Sequence, residues 1–399
     1  MTGRARIIAL ILGAQTVANV GPLGIPAIAS LIRADLGLSL AQAGSFLSAY
    51  YIGPSLVSLP AGTLADRWGV KRLLVLGQVV IAAGLLAASM AGSYAALVAL
   101  MIAAGFGYGM LNPTSTKAVM GWSPPAHRAT LVGLKQVGLP FGGMVGAALL
   151  PALAVALGWR VAVVVSAALI AVGALATLVI YRDPPEVTVP ATPSGSRGTM
   201  TSVLTSRDLW LLALATAIFA AMQTVWMSFL VLYLESAAGL TLLAASRYLA
   251  LAQLGGMTGR VLFGLLSDRL FGGRRRLPLM LAGAGSAACT LAIAWTGAGT
   301  STIWLAVLAF VFGVVGIGWN GVQHTWMAEL AGPRAAGTAV GLGLAVSSAG
   351  VTLGPIAFGW LVQTAGGYRG PWLGLALSMV AALGILALVR DRRWVGPGK

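Results

Sequence analysis

The stretch that decides the fold of this chain is GTLADRWGVKR at residues 62–72, because it returns as GLLSDRLFGGRRR at residues 264–276. Each copy follows a long apolar run and carries an aspartate, an arginine and further cations. A charged phrase that recurs behind apolar segments in both halves of a 399-residue chain indicates an internal repeat. The sequence therefore predicts two similar halves, with most of the charge on short turns between apolar helices.

The composition is that of a membrane protein. Hydrophobic residues make up 58% of the chain and charged residues 9%, whereas a soluble domain carries roughly 25% charge. The formal net charge is +16, and the cations collect at the ends of apolar runs rather than on one polar face. This distribution argues against nucleic-acid binding and predicts a multi-pass protein of the cytoplasmic membrane.

Few side chains are suited to metal binding or to enzyme catalysis. The chain has one cysteine, Cys289, and its two histidines, His127 and His324, lie far apart in the sequence. Structural zinc sites need four cysteine or histidine ligands in close spacing. The GFGYG run at 105–109 lies inside an apolar segment, so it is not a nucleotide-binding loop. We therefore expect no metal, no cofactor and no enzymatic activity.

Twelve apolar segments are long enough to cross a bilayer, which needs about 20 residues per helix. They exceed the roughly 10 residues of a membrane β-strand, so the predicted fold is all-α. We expect an N-terminal six-helix bundle at 1–181, a Pro- and Ser-rich cytoplasmic linker at 182–206 and a C-terminal six-helix bundle at 207–399. The predicted helices lie at approximately 5–32, 40–64, 71–91, 94–121, 127–156, 159–181, 207–236, 241–270, 276–297, 301–329, 333–365 and 370–390.

The distribution of Lys and Arg predicts the orientation in the membrane. Arg4 and Arg6 precede the first apolar run, which is too long for the core of a cleavable signal peptide. Loops on the side of this N-terminus carry far more Lys and Arg than the opposite loops, which is the positive-inside pattern. We expect both termini in the cytoplasm.

Twelve helices in two halves, with the repeated phrase after helices two and eight, closely resemble the major facilitator superfamily. The resemblance covers nearly the whole chain and implies two pseudo-symmetric six-helix bundles that transport by alternating access. In that family the loop phrase locks the outward-facing state, whereas the plainer alternative is a pair of solvated turns that set the topology. The gating residues that the resemblance implies are Asp66, Arg67, Lys71, Arg72, Asp268 and Arg269.

Three cations remain within the predicted membrane segments: Lys117, Lys135 and Arg260. A charge at the bilayer centre costs about 2.5–3.5 kcal/mol on insertion scales, so such residues usually face a cavity. No Asp or Glu is predicted in the middle of a helix, and the excess of positive charge favours an anionic substrate. We interpret Lys117 as a side chain that extends to the headgroups.

Arg260 is the main predicted substrate contact. Its phrase GRVLFG at 259–264 is similar to helix eight of oxalate/formate antiporters and monocarboxylate carriers, where an arginine four residues before the glycine binds the substrate carboxylate. A guanidinium can hold a carboxylate with two hydrogen bonds. The alternative is a structural arginine that caps helix ends. Lys135 lies in GLKQVG at 133–138, which resembles cyanate-permease-like and organic-anion carriers.

Neutral polar residues complete the predicted site. Each of them has a plainer interpretation as an interhelical hydrogen bond, worth about 0.6 kcal/mol on average in membranes. His324 is the only plausible side-chain proton carrier in the membrane region, with helix packing as its alternative. The predicted substrate-binding residues are Arg260, Lys135, Gln15, Asn19, Tyr50, Gln223, Asn320, Gln323 and His324.

The sequence thus predicts a monomeric secondary active transporter that moves a small organic anion, a mono- or dicarboxylate, by alternating access. Its expected partners are that anion, a co-transported or exchanged proton or anion, and membrane lipid. Two alternatives stay open. One is uptake of a small anion such as cyanate or nitrate. The resemblance implies a pair of arginines on helices two and eight for nitrate, and Ser58 at the helix-two counterpart of Arg260 counts against nitrate. The other is drug or lipid efflux, and the lack of acids within the helices counts against drug cations.

Overall fold

The structure is a computed structural model of the 399-residue chain and describes residues 3–123, 128–183, 197–332 and 335–390. All regular elements in these ranges are helical and none is a strand, which confirms the predicted all-α fold. The helices are α1 Gly3–Gly24, α2 Ala29–Leu36, α3 Leu40–Gly44, α4 Phe46–Trp68, α5 Val70–Ala88, α6 Tyr94–Trp122, α7 Arg128–Leu157, α8 Trp159–Ile180, α9 Arg197–Leu204, α10 Arg207–Ala237, α11 Leu242–Leu265, α12 Arg276–Ile293, α13 Thr302–Phe312, α14 Asn320–Ala331, α15 Ala336–Thr364 and α16 Arg369–Leu388.

Within the described ranges, 11 helical segments are long and apolar enough to cross a membrane. The remaining predicted segment, 40–64, is occupied by α3 and α4, which meet at Ser45. Ser39 is the N-cap of α3 and forms a reciprocal capping box with Gln42. Its hydroxyl accepts a hydrogen bond from the backbone N–H of Gln42, and the Gln42 side chain accepts one from the backbone N–H of Ser39.

Two further predicted helices are interrupted. In the first, a 3-10 turn at Ile25–Ile28 separates α1 from α2, and it contains Pro26, which has no backbone N–H to donate. In the tenth, a π-helical turn at Gly313–Ile317 separates α13 from α14. Turns of this kind recur at functional sites in helical proteins. The second interruption therefore bears on the site described below.

The chain divides into two compact units. Unit one comprises Met1–Thr188 with Met227–Ala250, and unit two comprises Val189–Trp226 with Leu251–Lys399. The division at 1–181, 182–206 and 207–399 that the sequence indicates stays a prediction. Residues 184–196 of the predicted linker lie outside the described residues, and the described remainder contains α9.

The two copies of the loop phrase differ in backbone structure. In the first copy α4 continues to Trp68, so most of the phrase is helical, and the turn is made at Gly69 with φ +87°. In the second copy α11 is followed by a π-helical turn at Leu266–Leu270 and then by Gly272 and Gly273, with φ +56° and +80°. Glycine has no Cβ and adopts these left-handed angles without steric cost. The extra glycine therefore makes the second turn longer.

Candidate functional site

Arg260 of α11 lies beside the π-helical turn of unit two. A Cβ at Gly259 would overlap the carbonyl oxygen of Val314, and one at Gly255 would lie 3.0 Å from the Cα of Gly313. Only glycine allows backbones to approach this closely. The crossing therefore places Arg260, the residue after Gly259, beside the turn that leads into α14. His324, another residue of the predicted site, lies on α14.

Gln223 of α10 bonds to the residues that follow the π-helical turn. Its Oε1 accepts hydrogen bonds from Trp319 Nε1 at 3.1 Å and from Asn320 Nδ2 at 3.2 Å. Asn320 Nδ2 also donates to the carbonyl oxygen of Ile317 at 3.1 Å, at the end of the turn. The structure thus brings Gln223 and Asn320 together. It also adds Trp319, which is not among the predicted site residues.

Two buried amides of unit two have side-chain atoms without hydrogen-bond partners among the described residues. They are Nε2 of Gln323 and both Nε2 and Oε1 of Gln253, whose residue is 1% exposed. Burying an amide group without a hydrogen bond costs about 1–3 kcal/mol in proteins. A ligand that bonds to the amide removes this cost, so both residues are candidate substrate contacts.

Gln253 was not found from the sequence, although its spacing was a usable signal. It precedes Arg260 by seven residues on α11. Seven residues make about two helical turns and a rise of roughly 10 Å. The two side chains therefore start from the same face of α11, one above the other.

In unit one, Gln15 of α1 bonds to α6. Its Nε2 donates to Tyr108 Oη at 3.4 Å, and its Oε1 accepts from Ser115 Oγ at 3.3 Å. Asn19 lies one turn later, donates to the Gln15 carbonyl at 2.7 Å, and buries an Oδ1 that has no partner among the described residues. The ring of Tyr50 lies 5.8 Å from that of Tyr108. Tyr108, which sequence analysis missed, therefore links two of the predicted residues.

Lys135 of α7 is fully buried, and α6 supplies acceptors for its ammonium group. Nζ donates to the Asn112 carbonyl at 3.1 Å, to Asn112 Oδ1 at 2.7 Å and to Thr116 Oγ1 at 3.0 Å. All three acceptors are neutral, so they orient the charge without cancelling it. A substrate anion at Lys135 would have to compete with these bonds.

In the second loop copy, Arg275 binds two carboxylates. Its Nε donates to both oxygens of Glu329 at 3.1 Å, and it forms an ion pair with Asp268 and a 2.7 Å bond to Ser267 Oγ. Burial acts to lower the pKa of Arg275, but the bonds to Glu329 and Asp268 outweigh it and leave this pKa above its usual value. Arg269, the arginine predicted for gating, is exposed. The sequence alone did not indicate the roles of Arg275 and Glu329, because the backbone path of the π-helical turn and its two glycines determines which carboxylates Arg275 reaches.

In the first loop copy, Arg67 and Arg72 are exposed and Lys71 is half-buried. The backbone N–H of Lys71 donates to Asp183 Oδ1 at 3.3 Å. A carboxylate is favoured there, because the first turn of a helix carries unsatisfied N–H groups and partial positive charge. The side chain of Asp66, predicted for gating, lies outside the described residues.

Comparison with known proteins identifies the family. The sequence model of the Major Facilitator Superfamily matches residues 23–349. The chain belongs to this superfamily. A probable sulfoacetate transporter of Cupriavidus necator is 27% identical over 377 residues, covering 90% of this chain and 87% of the relative. A hexuronate transporter of Bacillus subtilis is 24% identical, covering 91% and 89%. The crystal structure of the nucleoside transporter NupG has the same fold, with a TM-score of 0.81 at 16% identity over 97% of this chain and 100% of that one.

Membership of the Major Facilitator Superfamily confirms the fold and the class of protein that the loop phrase predicted, a multi-pass membrane transporter. The names of these relatives describe transporters and not enzymes. Neither comparison bears on single side chains, so the substrate-binding and gating residues of this superfamily member stay predictions.

A metal centre is not evident in the described part of this major facilitator. No three His, Cys, Asp or Glu side chains gather there as metal ligands do. His127 lies outside the described residues. The expectation of no metal and no cofactor therefore stays a prediction.

Proposed function

We propose that this major facilitator moves a small organic anion, a mono- or dicarboxylate, across the cytoplasmic membrane by alternating access. The observation that carries the proposal is that Arg260 lies on a segment apolar enough to span a membrane, where Gly259 brings its helix against the π-helical turn that precedes α14. A cation within a membrane segment usually faces a cavity rather than lipid. A guanidinium that faces such a cavity can hold a substrate carboxylate with two hydrogen bonds.

The substrates in the relatives' names support the same class. Sulfoacetate carries a sulfonate and a carboxylate, and a hexuronate carries one carboxylate and several hydroxyls. Both need a cation for an acid group and a polar partner for the other end. In our proposal Arg260 binds the acid group, and the amides of Gln253 and Gln323 bond to the polar remainder.

The remaining roles are proposals of the same kind. His324 carries a proton when transport is coupled to one, and exchange of two anions is the alternative. Both termini lie in the cytoplasm, and the protein works as a monomer. The other proposed substrate contacts are Lys135, Gln15, Asn19, Tyr50, Gln223 and Asn320.

Flux into proteoliposomes tests the proposal. Purified protein is reconstituted and supplied with labelled mono- and dicarboxylates, sulfoacetate, nitrate, cyanate and a cationic drug. We expect uptake of at least one carboxylate, and a loss of about 100-fold in its kcat/KM for Arg260→Ala. Removing one partner of a buried charged pair costs about 2–5 kcal/mol, and 1.4 kcal/mol is tenfold.

Arg247→Ala is the matched control, since it removes an exposed arginine from the same helix. It should keep wild-type flux. Uptake of nitrate or cyanate alone would favour the small inorganic anion, and flux of the cationic drug alone would favour efflux. Either outcome overturns the carboxylate proposal.

A further inference from the structure

A groove of about 450 Å³ lies on unit one, where α5 begins. Its residues change in character along its length, from two cations at one end to aliphatic side chains along the rest. It is lined by Lys71, Arg72, Val75, Leu76 and Val79 of α5 and by Leu178 of α8.

The α5 residues of the groove form one face of the helix. They occupy positions 71, 72, 75, 76 and 79, which lie on successive turns. From Lys71 to Val79 the rise is about 12 Å at 1.5 Å per residue. The cations occupy the first turn of a segment that is apolar enough to span the membrane, so they lie at its boundary with water.

The two helices that line the groove, α5 and α8, are joined by a hydrogen bond on their buried side, away from the groove. Gln78 and Thr177 are buried, and Gln78 Nε2 donates to Thr177 Oγ1 at 2.9 Å. Each is the chain neighbour of a groove residue. Val79 is 46% exposed and Leu178 is 50% exposed, so both present apolar surface outward. The hydrogen bond fixes α5 against α8 and makes the groove a preformed feature of the fold.

We propose that this groove binds one anionic phospholipid of the cytoplasmic leaflet. The phosphate lies against Lys71 and Arg72, and an acyl chain lies along Val75, Val79 and Leu178. Juxtamembrane cations attract anionic headgroups by about 1 kcal/mol each, and basic pockets between membrane helices bind such lipids. A free phosphate would leave the apolar part of the groove without a partner. A zwitterionic headgroup would gain less from two cations.

The second loop copy provides a matched comparison. Its Arg275 is bonded to Glu329 and Asp268, so its charge is already balanced within the protein. Arg274 and Arg276 flank it and can be neutralised without touching those ion pairs. Removing two cations from either copy changes the net charge equally, but only the first copy borders the groove.

Native mass spectrometry of the purified full-length protein tests the proposal, with phosphatidylglycerol and phosphatidylcholine as probes. We expect one phosphatidylglycerol to bind more tightly than phosphatidylcholine. Lys71→Gln combined with Arg72→Gln should weaken it roughly 30-fold. Arg274→Gln combined with Arg276→Gln should leave it unchanged. Inorganic phosphate at millimolar concentration should not displace the lipid.

A bulky side chain tests the apolar part without changing charge. Leu178→Trp should fill the groove and weaken phosphatidylglycerol binding about tenfold. Val179→Trp is its control, because Val179 is the next residue, is 70% exposed and lies outside the groove lining. Thermal unfolding shows that each variant is folded before lipid is added.

Three results would overturn the proposal. They are wild-type affinity in Leu178→Trp, equal loss in the two charge-neutralised variants, and displacement of the lipid by inorganic phosphate. Because lipid binding is measured without transport, a gating role of Lys71 or Arg72 does not affect the result.

Discussion

Lys135 in unit one and Arg260 in unit two were singled out for the same reason, a cation inside an apolar helix, yet their surroundings differ. Lys135 donates three hydrogen bonds to neutral acceptors of α6. Arg260 is half-buried, and Gln253, two turns before it on α11, buries an amide that has no hydrogen-bond partner among the described residues. An anion that binds Lys135 must compete with three hydrogen bonds, whereas an anion that binds Arg260 could also bond to this amide. The surroundings of Arg260 therefore favour a role in substrate binding.

The largest expected effect comes from neutralising each cation in turn. Arg260→Gln should raise the KM for the transported anion about 100-fold, because it removes the proposed partner of the carboxylate. Lys135→Gln should raise KM less than tenfold, because an amide can still donate to Asn112. Uptake kinetics in proteoliposomes measure both. Equal losses in the two variants would contradict the contrast, because Lys135 would then contribute as much to anion binding as Arg260.

In stability the order should be reversed, so that Lys135→Ala destabilises the protein more than Arg260→Ala does. Lys135→Ala leaves acceptors on the half-buried residues Asn112 and Thr116 without their donor, at a cost of about 1–3 kcal/mol. Arg260→Ala should cost less, because Arg260 is only half-buried whereas Lys135 is 1% exposed. Thermal unfolding in detergent gives the comparison. If Lys135→Ala unfolds at the wild-type temperature, the three hydrogen bonds do not hold α6 and α7 together.

The smallest expected effect comes from replacing Gln253, whose buried amide has no hydrogen-bond partner among the described residues. Gln253→Leu should weaken transport of a hydroxylated acid or a diacid about tenfold, the equivalent of one lost hydrogen bond, and should spare a simple monocarboxylate. Gln78→Leu is the matched control, since the Gln78 amide is bonded to Thr177 within the protein. It should lower the unfolding temperature and leave KM unchanged. If Gln253→Leu changes the transport of all these acids by the same factor, Gln253 is not a substrate contact.

The sequence predicted the fold well because its two strongest signals are local. Apolar length marks each membrane helix, and the doubled phrase marks the repeat. The π-helical turn at Gly313–Ile317 could not be predicted, because its residues are as apolar as the helix around them. Its position depends on the crossing with α11, and that crossing belongs to the tertiary structure.

The candidate site was predictable to a lesser extent. The cost of a buried charge singles out Lys135 and Arg260 from sequence alone. Their hydrogen-bond partners could not be predicted. Asn112 and Lys135 lie on different helices, and their contact depends on how α6 and α7 cross. The same applies to Arg275, whose carboxylate partners are chosen by the longer turn of the second loop copy.

The π-helical turn before α14 has a mechanical consequence. It holds one residue more than an α-helical turn would, so it shifts the helical register by one residue between α13 and α14. Returning that residue to the α-helical register would rotate α14 by about 100° relative to α13. Such a screw motion would turn the side chains of α14 and break the bonds from Trp319 and Asn320 to Gln223. The turn thus makes the polar contacts of this part of the site depend on helical register.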